Sequence, residues 1–311
     1  MKVVFELPFY DNLCGGVMFT IALAKEMNAH IRFQSIQKGY PFNIDNWTSG
    51  LPDNTFPECD VCITFSDNPL TDKLLRLPQV NRVMCYFQSY GMNIFNEKRN
   101  ASNRNVFNLC TTKKIEEAIK RDGNQVLNVG FGLEMSEFYD FGYERKNYLA
   151  ILFHEMQSKR YSVAVKVADI LFDKGIIEGV ISFGTNVNYK KYKHPKGLIS
   201  HYGNATKSGV AEVFNQCKAY LMPSVSEGLN LTPIESTLCA CPAVICDGAI
   251  GEIFTETNCA IIEKNSLDFM EYQISGWMYT RGHAEIFEKS MRETIKGYTW
   301  KNTVNKIKEV L

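Results

Sequence analysis

The sequence has no excess of charge of either sign and no long hydrophobic run. Among its 311 residues, 34 Lys and Arg balance 34 Asp and Glu, so no global field draws the chain towards nucleic acid or an anionic membrane. Its most apolar stretch, 238–250, is interrupted by Pro242 and Asp247 and is shorter than the roughly 18–20 residues that cross a bilayer. These absences argue against a membrane-spanning protein, and any nucleic-acid contact requires a local patch.

A signal peptide and a convincing cysteine motif are also missing. Residues 1–7 resemble a first strand, without the apolar stretch and small-residue cleavage site of a signal peptide. Most of the ten cysteines lie inside apolar runs, where free thiols behave as small buried hydrophobes. The pair Cys59 and Cys62 has metal or redox spacing, but without a second pair we interpret it as buried thiols. We therefore expect a cytoplasmic protein.

The length and the hydrophobic pattern together predict two α/β domains. A chain of 311 residues exceeds what one hydrophobic core usually holds. Apolar runs alternate with helix-period segments throughout, the pattern of parallel sheets joined by crossover helices. A polar and aromatic segment near 134–146 is typical of a linker. We predict an N-terminal Rossmann-like domain over 1–143, a C-terminal one over 144–285 and a final helical segment over 286–311, with ligands at the carboxyl ends of the strands.

The most informative stretch runs from Met222 to Glu235, MPSVSEGLNLTPIE. A predicted strand ends at Pro-Ser, a loop holds Gly228, and a helix opens near Thr232. Such a turn aims free backbone N–H groups and the positive end of the helix dipole at one point, where a phosphate is stabilised. Glu227 lies on the loop and Glu235 inside the helix, so the two carboxylates can hold different parts of one ligand.

This stretch resembles the E-x7-E segment of retaining glycosyltransferases of the GT-B fold, family-4 type, which commonly reads Pro-Ser, then Glu-Gly-Phe-Gly, then a second Glu. The similarity continues downstream through 241–253, upstream through 201–222, and at Tyr298-Thr299-Trp300-Lys301, like the Ser-Trp before the family's final helix. It implies two Rossmann-like domains that face each other across a cleft, with the last helix returning to the N-terminal domain.

The N-terminal half resembles the same family less closely. Gly15 and Gly16 resemble the glycines of the first-strand loop, which let the backbone approach the sugar and phosphates. The run Tyr86 to Tyr90 is nearest to a Gln-Asp-Tyr variant of the rhamnosyltransferase branch, with Ser89 in place of Asp. The histidine that usually contacts the reacting sugar is missing, and Gln88 or Ser89 stands near its place.

The family's Gly-Arg-x4-Lys-Gly pair, which grips the donor diphosphate, is altered here. Phe153-His154 and Lys159-Arg160 occupy its positions, so Lys159 is retained, His154 replaces the Arg and Arg160 replaces a Gly. If His154 is neutral, Lys159 is the one cation that contacts the diphosphate, unless Arg160 also reaches it.

The resemblance implies roles for individual residues. Lys159, with Arg160, His154 and backbone amides of the loop, would hold the diphosphate; Glu235 would bind the ribose hydroxyls; and Glu227 would contact the donor sugar and support its positive charge. The predicted catalytic residues are Glu227 and Lys159, and the predicted donor-binding residues are Glu235, Asn230, Leu231, Thr232, Gly228, His154, Arg160, Tyr202, Gly203, Gly15 and Gly16. No metal cofactor is implied, and the sequence has only five His.

The leading hypothesis is a retaining hexosyl- or pentosyltransferase that moves a sugar from a UDP-, GDP- or dTDP-sugar to a saccharide or lipid-linked saccharide. One alternative is sugar transfer to hydroxylated bases of DNA, for which the basic, tyrosine-containing stretch 189–196 is the sole support. A further alternative is an inactive nucleotide-sugar-binding module, motivated by His154 and the missing N-terminal histidine.

Overall fold

The chain forms two compact units. The computed structural model describes residues 1–7, 15–34, 47–49, 56–90, 94–184, 198–203, 205–247, 251–262, 266–279 and 282–311. Unit 1 contains 1–133 together with 298–311, and unit 2 contains 134–297. The units therefore divide after 133 and 297, whereas the sequence predicts boundaries after 143 and 285.

Unit 1 is built on a parallel sheet that has seven strands within the described ranges, in the order β3-β2-β1-β4-β5-β6-β7. Its elements, in chain order, are β1 (Val3–Leu7), α1 (Gly15–Glu26), β2 (His30–Phe33), β3 (Trp47–Ser49), β4 (Cys59–Phe65), α2 (Thr71–Leu74), β5 (Val80–Phe87), α3 (Ile94–Ser102), β6 (Val106–Cys110), α4 (Lys113–Arg121) and β7 (Leu127–Asn128). The sequence pattern predicts neither β3 nor α3, because neither segment has a clear hydrophobic periodicity.

Unit 2 is built on a second parallel sheet, of six described strands, in the order β10-β9-β8-β11-β12-β13. Its elements are β8 (Tyr148–Phe153), a 3₁₀ turn (Gln157–Lys159), α5 (Tyr161–Asp173), β9 (Gly179–Gly184), β10 (Ile199–Gly203), α6 (Lys207–Gln216), β11 (Ala219–Met222), α7 (Leu231–Leu238), β12 (Ala243–Cys246), β13 (Ala260–Ile262), α8 (Leu267–Tyr279) and α9 (Gly282–Ile295). All of these strands are parallel, so their carboxyl ends share one edge, where β8 and β11 are central neighbours.

The last helix, α10 (Trp300–Lys308), belongs to unit 1. The Trp300 ring packs edge-on against Phe19 of α1, with centroids 4.6 Å apart. Gly132 leaves room for this ring, since a Cβ there would lie 2.3 Å from a Trp300 ring atom. The last helix therefore returns to the N-terminal unit, whereas 286–297, which the sequence-based prediction assigns to the same segment, belongs to unit 2.

The segment predicted as a linker is packed onto unit 2. The Arg145 guanidinium, 7% exposed, donates to the main-chain oxygens of Cys217 (3.2 Å) and Ala240 (2.7 Å). The Phe141 N–H donates to Asn215 Oδ1 at 2.8 Å. These acceptors are distant in sequence, so a polar and aromatic composition alone does not reveal them.

The central strands of unit 2 are buried because helices pack against the sheet. Every residue of β11 and β12 is buried, as expected of central strands in a covered parallel sheet. None of the helices in the described ranges is long and apolar enough to cross a membrane.

Candidate active site at the carboxyl edge of the second sheet

Two predicted catalytic side chains meet directly at this edge. Lys159 ends the 3₁₀ turn that follows β8, and Glu227 lies on the loop that follows β11. Because these strands are neighbours, Lys159 Nζ reaches both Glu227 carboxylate oxygens at 2.7 Å. The side chains are only 17% and 6% exposed, so this charge-assisted pair is largely shielded from water.

Main-chain geometry fixes the two loops against each other. The Val225 N–H donates to the Ser158 carbonyl oxygen at 3.0 Å, beside the ion pair. Arg160 adopts the left-handed conformation, with φ of 52° and ψ of 41°, where α5 begins. Glycine adopts this conformation at little cost, and Arg160 occupies the position of a glycine in the motif that the sequence resembles.

His154 follows β8 and is neutral at physiological pH. Its half-buried ring has a pKa below the usual value, chiefly because burial disfavours the imidazolium and secondarily because Lys159 is close. Nδ1 accepts a hydrogen bond from the Met156 N–H at 3.1 Å, which places the ring proton on Nε2. His154 therefore adds a hydrogen-bond donor but no positive charge.

The first turn of α7 is held against the end of β11. The Thr232 hydroxyl lies 2.8 Å from the Tyr220 hydroxyl and 3.4 Å from Met222 Sδ. Asn230 precedes the helix, but its side chain makes no capping hydrogen bond. The N-terminal end of α7, over Leu231 and Thr232, consequently lies beside the loop that carries Gly228 and Glu227, where its N–H groups favour an anion.

Glu235 lies one turn further along α7 and is half-buried. Burial raises the pKa of its carboxyl to about 7; nearby Lys207 opposes this shift and Glu137 reinforces it. Glu235 is therefore a mixture of charged and neutral forms at neutral pH, and its charge responds to any partner that binds it.

Gly184 is a structural requirement of the site that the motif comparison missed. It ends β9 with φ of +139°, and a Cβ there would lie 2.3 Å from the Phe153 carbonyl oxygen. Only glycine lets β9 approach the end of β8 so closely. The sole sequence signal is a glycine at the end of a predicted strand.

Tyr202 and Gly203 lie apart from the ion pair. They belong to β10, at the edge of the sheet and separated from β8 by β9. The Tyr202 ring is 48% exposed and lies against Gly209, at which a Cβ would come within 2.8 Å of the ring. In the described part of the chain, no hydrogen bond joins Tyr202 to Lys159 or Glu227.

In unit 1, the predicted glycines begin α1. Gln88 Nε2 donates to the Gly16 carbonyl oxygen at 3.1 Å and to the Thr20 hydroxyl at 2.6 Å. A Cβ on Gly16 would lie 2.9 Å from Gln88 Oε1, so this glycine accommodates Gln88. Gly15 is the first residue of α1, while 12–14, the rest of the predicted loop, lie outside the described residues.

Two further expectations concern metals and the basic stretch. Where the structure is described, no group of three or more His, Cys, Asp or Glu could hold a metal ion. The stretch 189–196 and the glycine-containing 248–250 lie outside the described residues.

Comparison by sequence and by structure gives different results. No protein-family model matches the chain, and no curated protein matches it. Solved structures do match: a glycosyltransferase from Rickettsia africae has a TM-score of 0.77 at 12% identity, covering 99% of this chain and 97% of that one. HepE of Anabaena, solved with UDP and glucose, has a TM-score of 0.75 at 12% identity, covering 100% and 99%.

TarM of S. aureus shares the fold over part of its length. The TM-score is 0.68 at 16% identity, and the match covers 81% of this chain but only 55% of TarM, so the chain spans about half the length of that relative. The predicted class, an α/β GT-B fold of two Rossmann-like domains, is confirmed by the two parallel sheets and by these similarities.

Proposed function

We propose that the protein is a retaining glycosyltransferase that moves a sugar from a nucleoside-diphosphate sugar to a hydroxyl of a saccharide or lipid-linked saccharide. The observation that carries this proposal is the Lys159–Glu227 pair at the carboxyl edge of the second sheet, beside the N-terminal end of α7. The fold shared with HepE, which has been solved with UDP and glucose, supports the same donor class.

The departing diphosphate gains negative charge as the sugar bond breaks, and it needs positive groups nearby. Lys159 and the N-terminal end of α7 supply such groups without a resident metal. As the diphosphate takes hydrogen bonds from Lys159, the Glu227 carboxylate is released towards the sugar. There it stabilises the positive charge that develops on the anomeric carbon.

Retention of configuration follows if the acceptor attacks from the face that the diphosphate leaves. The leaving phosphate oxygen then takes the acceptor proton, so no protein nucleophile is needed. Glu235 accepts hydrogen bonds from the ribose hydroxyls and thereby positions the nucleoside half of the donor. Binding of these hydroxyls favours the charged carboxylate and lowers the pKa of Glu235 from its value of about 7 in the free protein.

Donor binding and hydrolysis test the proposal. The purified chain is screened by thermal shift against UDP-, GDP- and dTDP-sugars in EDTA, and slow donor hydrolysis is followed by release of the nucleoside diphosphate. We expect one nucleotide series to stabilise the protein, with hydrolysis lost in Glu227→Gln. Glu293→Gln is the matched control, because Glu293 is 63% exposed on α9 and pairs only locally with Lys296.

Two results would contradict the proposal. If no nucleotide raises the melting temperature, the edge of the second sheet is not a donor site. If a donor binds but is neither hydrolysed nor transferred to any of a panel of saccharide acceptors, the protein is an inactive nucleotide-sugar-binding module instead.

A further inference from the structure

Two buried polar atoms on the loop that carries Glu227 have no hydrogen-bond partner among the described residues. Ser224 is 1% exposed and Asn230 is 5% exposed, and both Ser224 Oγ and Asn230 Nδ2 are unpaired. A buried hydrogen-bond donor that has lost its contact with water and has no partner destabilises the folded state. The free protein therefore carries a penalty at both positions.

Their positions in the chain place both residues next to the candidate site. Ser224 precedes Val225, whose N–H is bonded to the Ser158 carbonyl oxygen next to Lys159. Asn230 immediately precedes α7, and its side chain does not cap the helix. The two unpaired donors thus flank Glu227 on the same short connection between β11 and α7.

The charge states of Lys159 and His154 determine what these two unpaired side chains could contribute to binding. Lys159 is neutralised by Glu227 in the free protein, and His154 is held neutral by burial. At the positions of the motif's Arg and Lys, a diphosphate therefore meets a neutral His154 and a Lys159 that is paired with Glu227. Neutral donors at the positive end of a helix can replace part of that charge, because an ionised acceptor strengthens each hydrogen bond.

We propose that the side chains of Ser224 and Asn230 donate hydrogen bonds to the diphosphate of the donor, at a site where His154 supplies no positive charge. This inference rests on the proposed function. The motif that the sequence resembles has a glycine at the position of Asn230, so this side-chain contact is particular to the present chain.

The proposal predicts that each of these two side chains lowers the stability of the free protein and strengthens the binding of a nucleoside diphosphate. Ser224→Ala removes an unpaired buried hydroxyl, so it should raise the melting temperature of the free protein while lowering its affinity for nucleoside diphosphates. Asn230→Gly should lower affinity in the same way. Each loss should be about tenfold, the size expected for one hydrogen bond to a charged group.

Thr237→Val provides a matched control. Thr237 is fully buried on α7 and its hydroxyl is also unpaired, but it lies near the other end of the helix, away from the loop. This variant should also raise the melting temperature and should leave affinity unchanged.

Calorimetric titration with UDP, GDP and dTDP, and with the monophosphate of whichever binds, tests the inference. We expect Ser224→Ala and Asn230→Gly to lose about tenfold in affinity for the diphosphate and much less for the monophosphate. If the wild type binds a diphosphate and both variants bind it equally well, this inference is wrong and the proposed function stands. If the wild type binds none of the three, the proposed function fails as well.

Melting of the free variants is a second, independent readout. A fall in the melting temperature of Ser224→Ala would show that the hydroxyl has a partner within the protein, which would also overturn the inference. Affinity lost equally in Thr237→Val would have the same consequence, because the effect would then be general to the helix.

Discussion

The Lys159 ammonium group lies 2.7 Å from both carboxylate oxygens of Glu227, a residue 68 positions further along the chain. Each of these residues has a separate task in the proposed reaction, yet in the free protein they neutralise each other. A diphosphate must therefore compete with Glu227 for Lys159. Binding of the diphosphate is thus coupled to release of the Glu227 carboxylate.

Removal of one partner of this pair should destabilise the free protein, and removal of both should restore part of the loss. Lys159→Met or Glu227→Gln leaves the other group in a largely shielded position and should cost about 1–3 kcal/mol. The double variant should be more stable than the sum of the single losses predicts. Urea unfolding of all four proteins measures this coupling, and strictly additive losses would show that the pair contributes nothing in solution.

The charge of Glu235 should make nucleotide binding depend on pH. The carboxyl has a pKa of about 7 in the free protein, and ribose hydroxyls favour its charged form. Affinity for a nucleoside diphosphate should fall by up to about tenfold for each pH unit below 7. Titration of UDP, GDP or dTDP, whichever binds, between pH 5 and 8 measures this dependence.

Nucleotide analogues distinguish the pH dependence that Glu235 causes from the pH dependence that titration of the phosphate causes. A 2′,3′-dideoxy nucleotide lacks both ribose hydroxyls and should lose the part of the pH dependence that Glu235 causes. Glu235→Gln should lose the same part for the ordinary nucleotide. An unchanged pH profile in this variant would exclude Glu235 from contact with the ribose.

The same raised pKa has a consequence for stability. Because folded Glu235 binds a proton more tightly than its ordinary value of 4.5 implies, the folded state holds more protons than the unfolded state between about pH 4.5 and 7. Its contribution to the free energy of unfolding is therefore present below this window and is lost as the pH rises through it. Glu235→Gln should melt higher than the wild type at pH 8 and at the same temperature at pH 4; a gain at both values would point to another cause.

A side chain at Gly184 should distort the end of β9 and the neighbouring end of β8. The Cβ of Gly184→Ala would lie 2.3 Å from the Phe153 carbonyl oxygen, at φ of +139°, and we expect a cost of about 2–4 kcal/mol. Gly175→Ala is the control, because it has φ of +69° and no atom within 4 Å of an added Cβ. It should cost about 1–2 kcal/mol. Equal losses in chemical denaturation would show that the close approach to Phe153 has no separate effect.

Loss of the Arg145 guanidinium should release the segment that precedes β8. Arg145→Met removes donors to main-chain oxygens, including those of Cys217 and Ala240, and should cost about 2–4 kcal/mol. Limited digestion with trypsin should then cut after Lys146 faster than in the wild type. Lys166→Met, on the surface of α5, is the control, and an unchanged rate in Arg145→Met would contradict the role of this residue.

The sequence predicts the central strands of unit 2 well because they are short apolar runs bounded by turn residues. The apolar runs Ala219–Met222 and Ala243–Cys246 predict β11 and β12 with their observed bounds, and with them the edge where the site lies. The position of Arg145 was not predictable in this way. Apart from Asp140, five residues away, its acceptors are main-chain oxygens 69 or more residues away. A main-chain oxygen is present at every residue, so the sequence does not indicate which ones accept.

The contacts within the candidate site are also not predictable from the sequence alone. The sequence assigns Lys159 and Glu227 to one site through their motifs, but not their contact with each other, which depends on β8 and β11 being neighbours. The motif includes Ser224, and Asn230 is a predicted donor-binding residue, but the motif does not indicate that either side chain is unpaired. Their lack of partners becomes visible only when burial and hydrogen bonds are known together.

Residues 298–311 complete unit 1 only after all of unit 2 has been added to the chain. During synthesis, Phe19 and Phe131 are made before unit 2, whereas the aromatic rings of Tyr298 and Trp300 that cover them are made after it. Unit 2 is contiguous, so none of its contacts waits for residues after 297, whereas unit 1 waits for 298–311. Vectorial synthesis therefore favours completion of the inserted unit first, the reverse of the order in which the first strands of the two units are made.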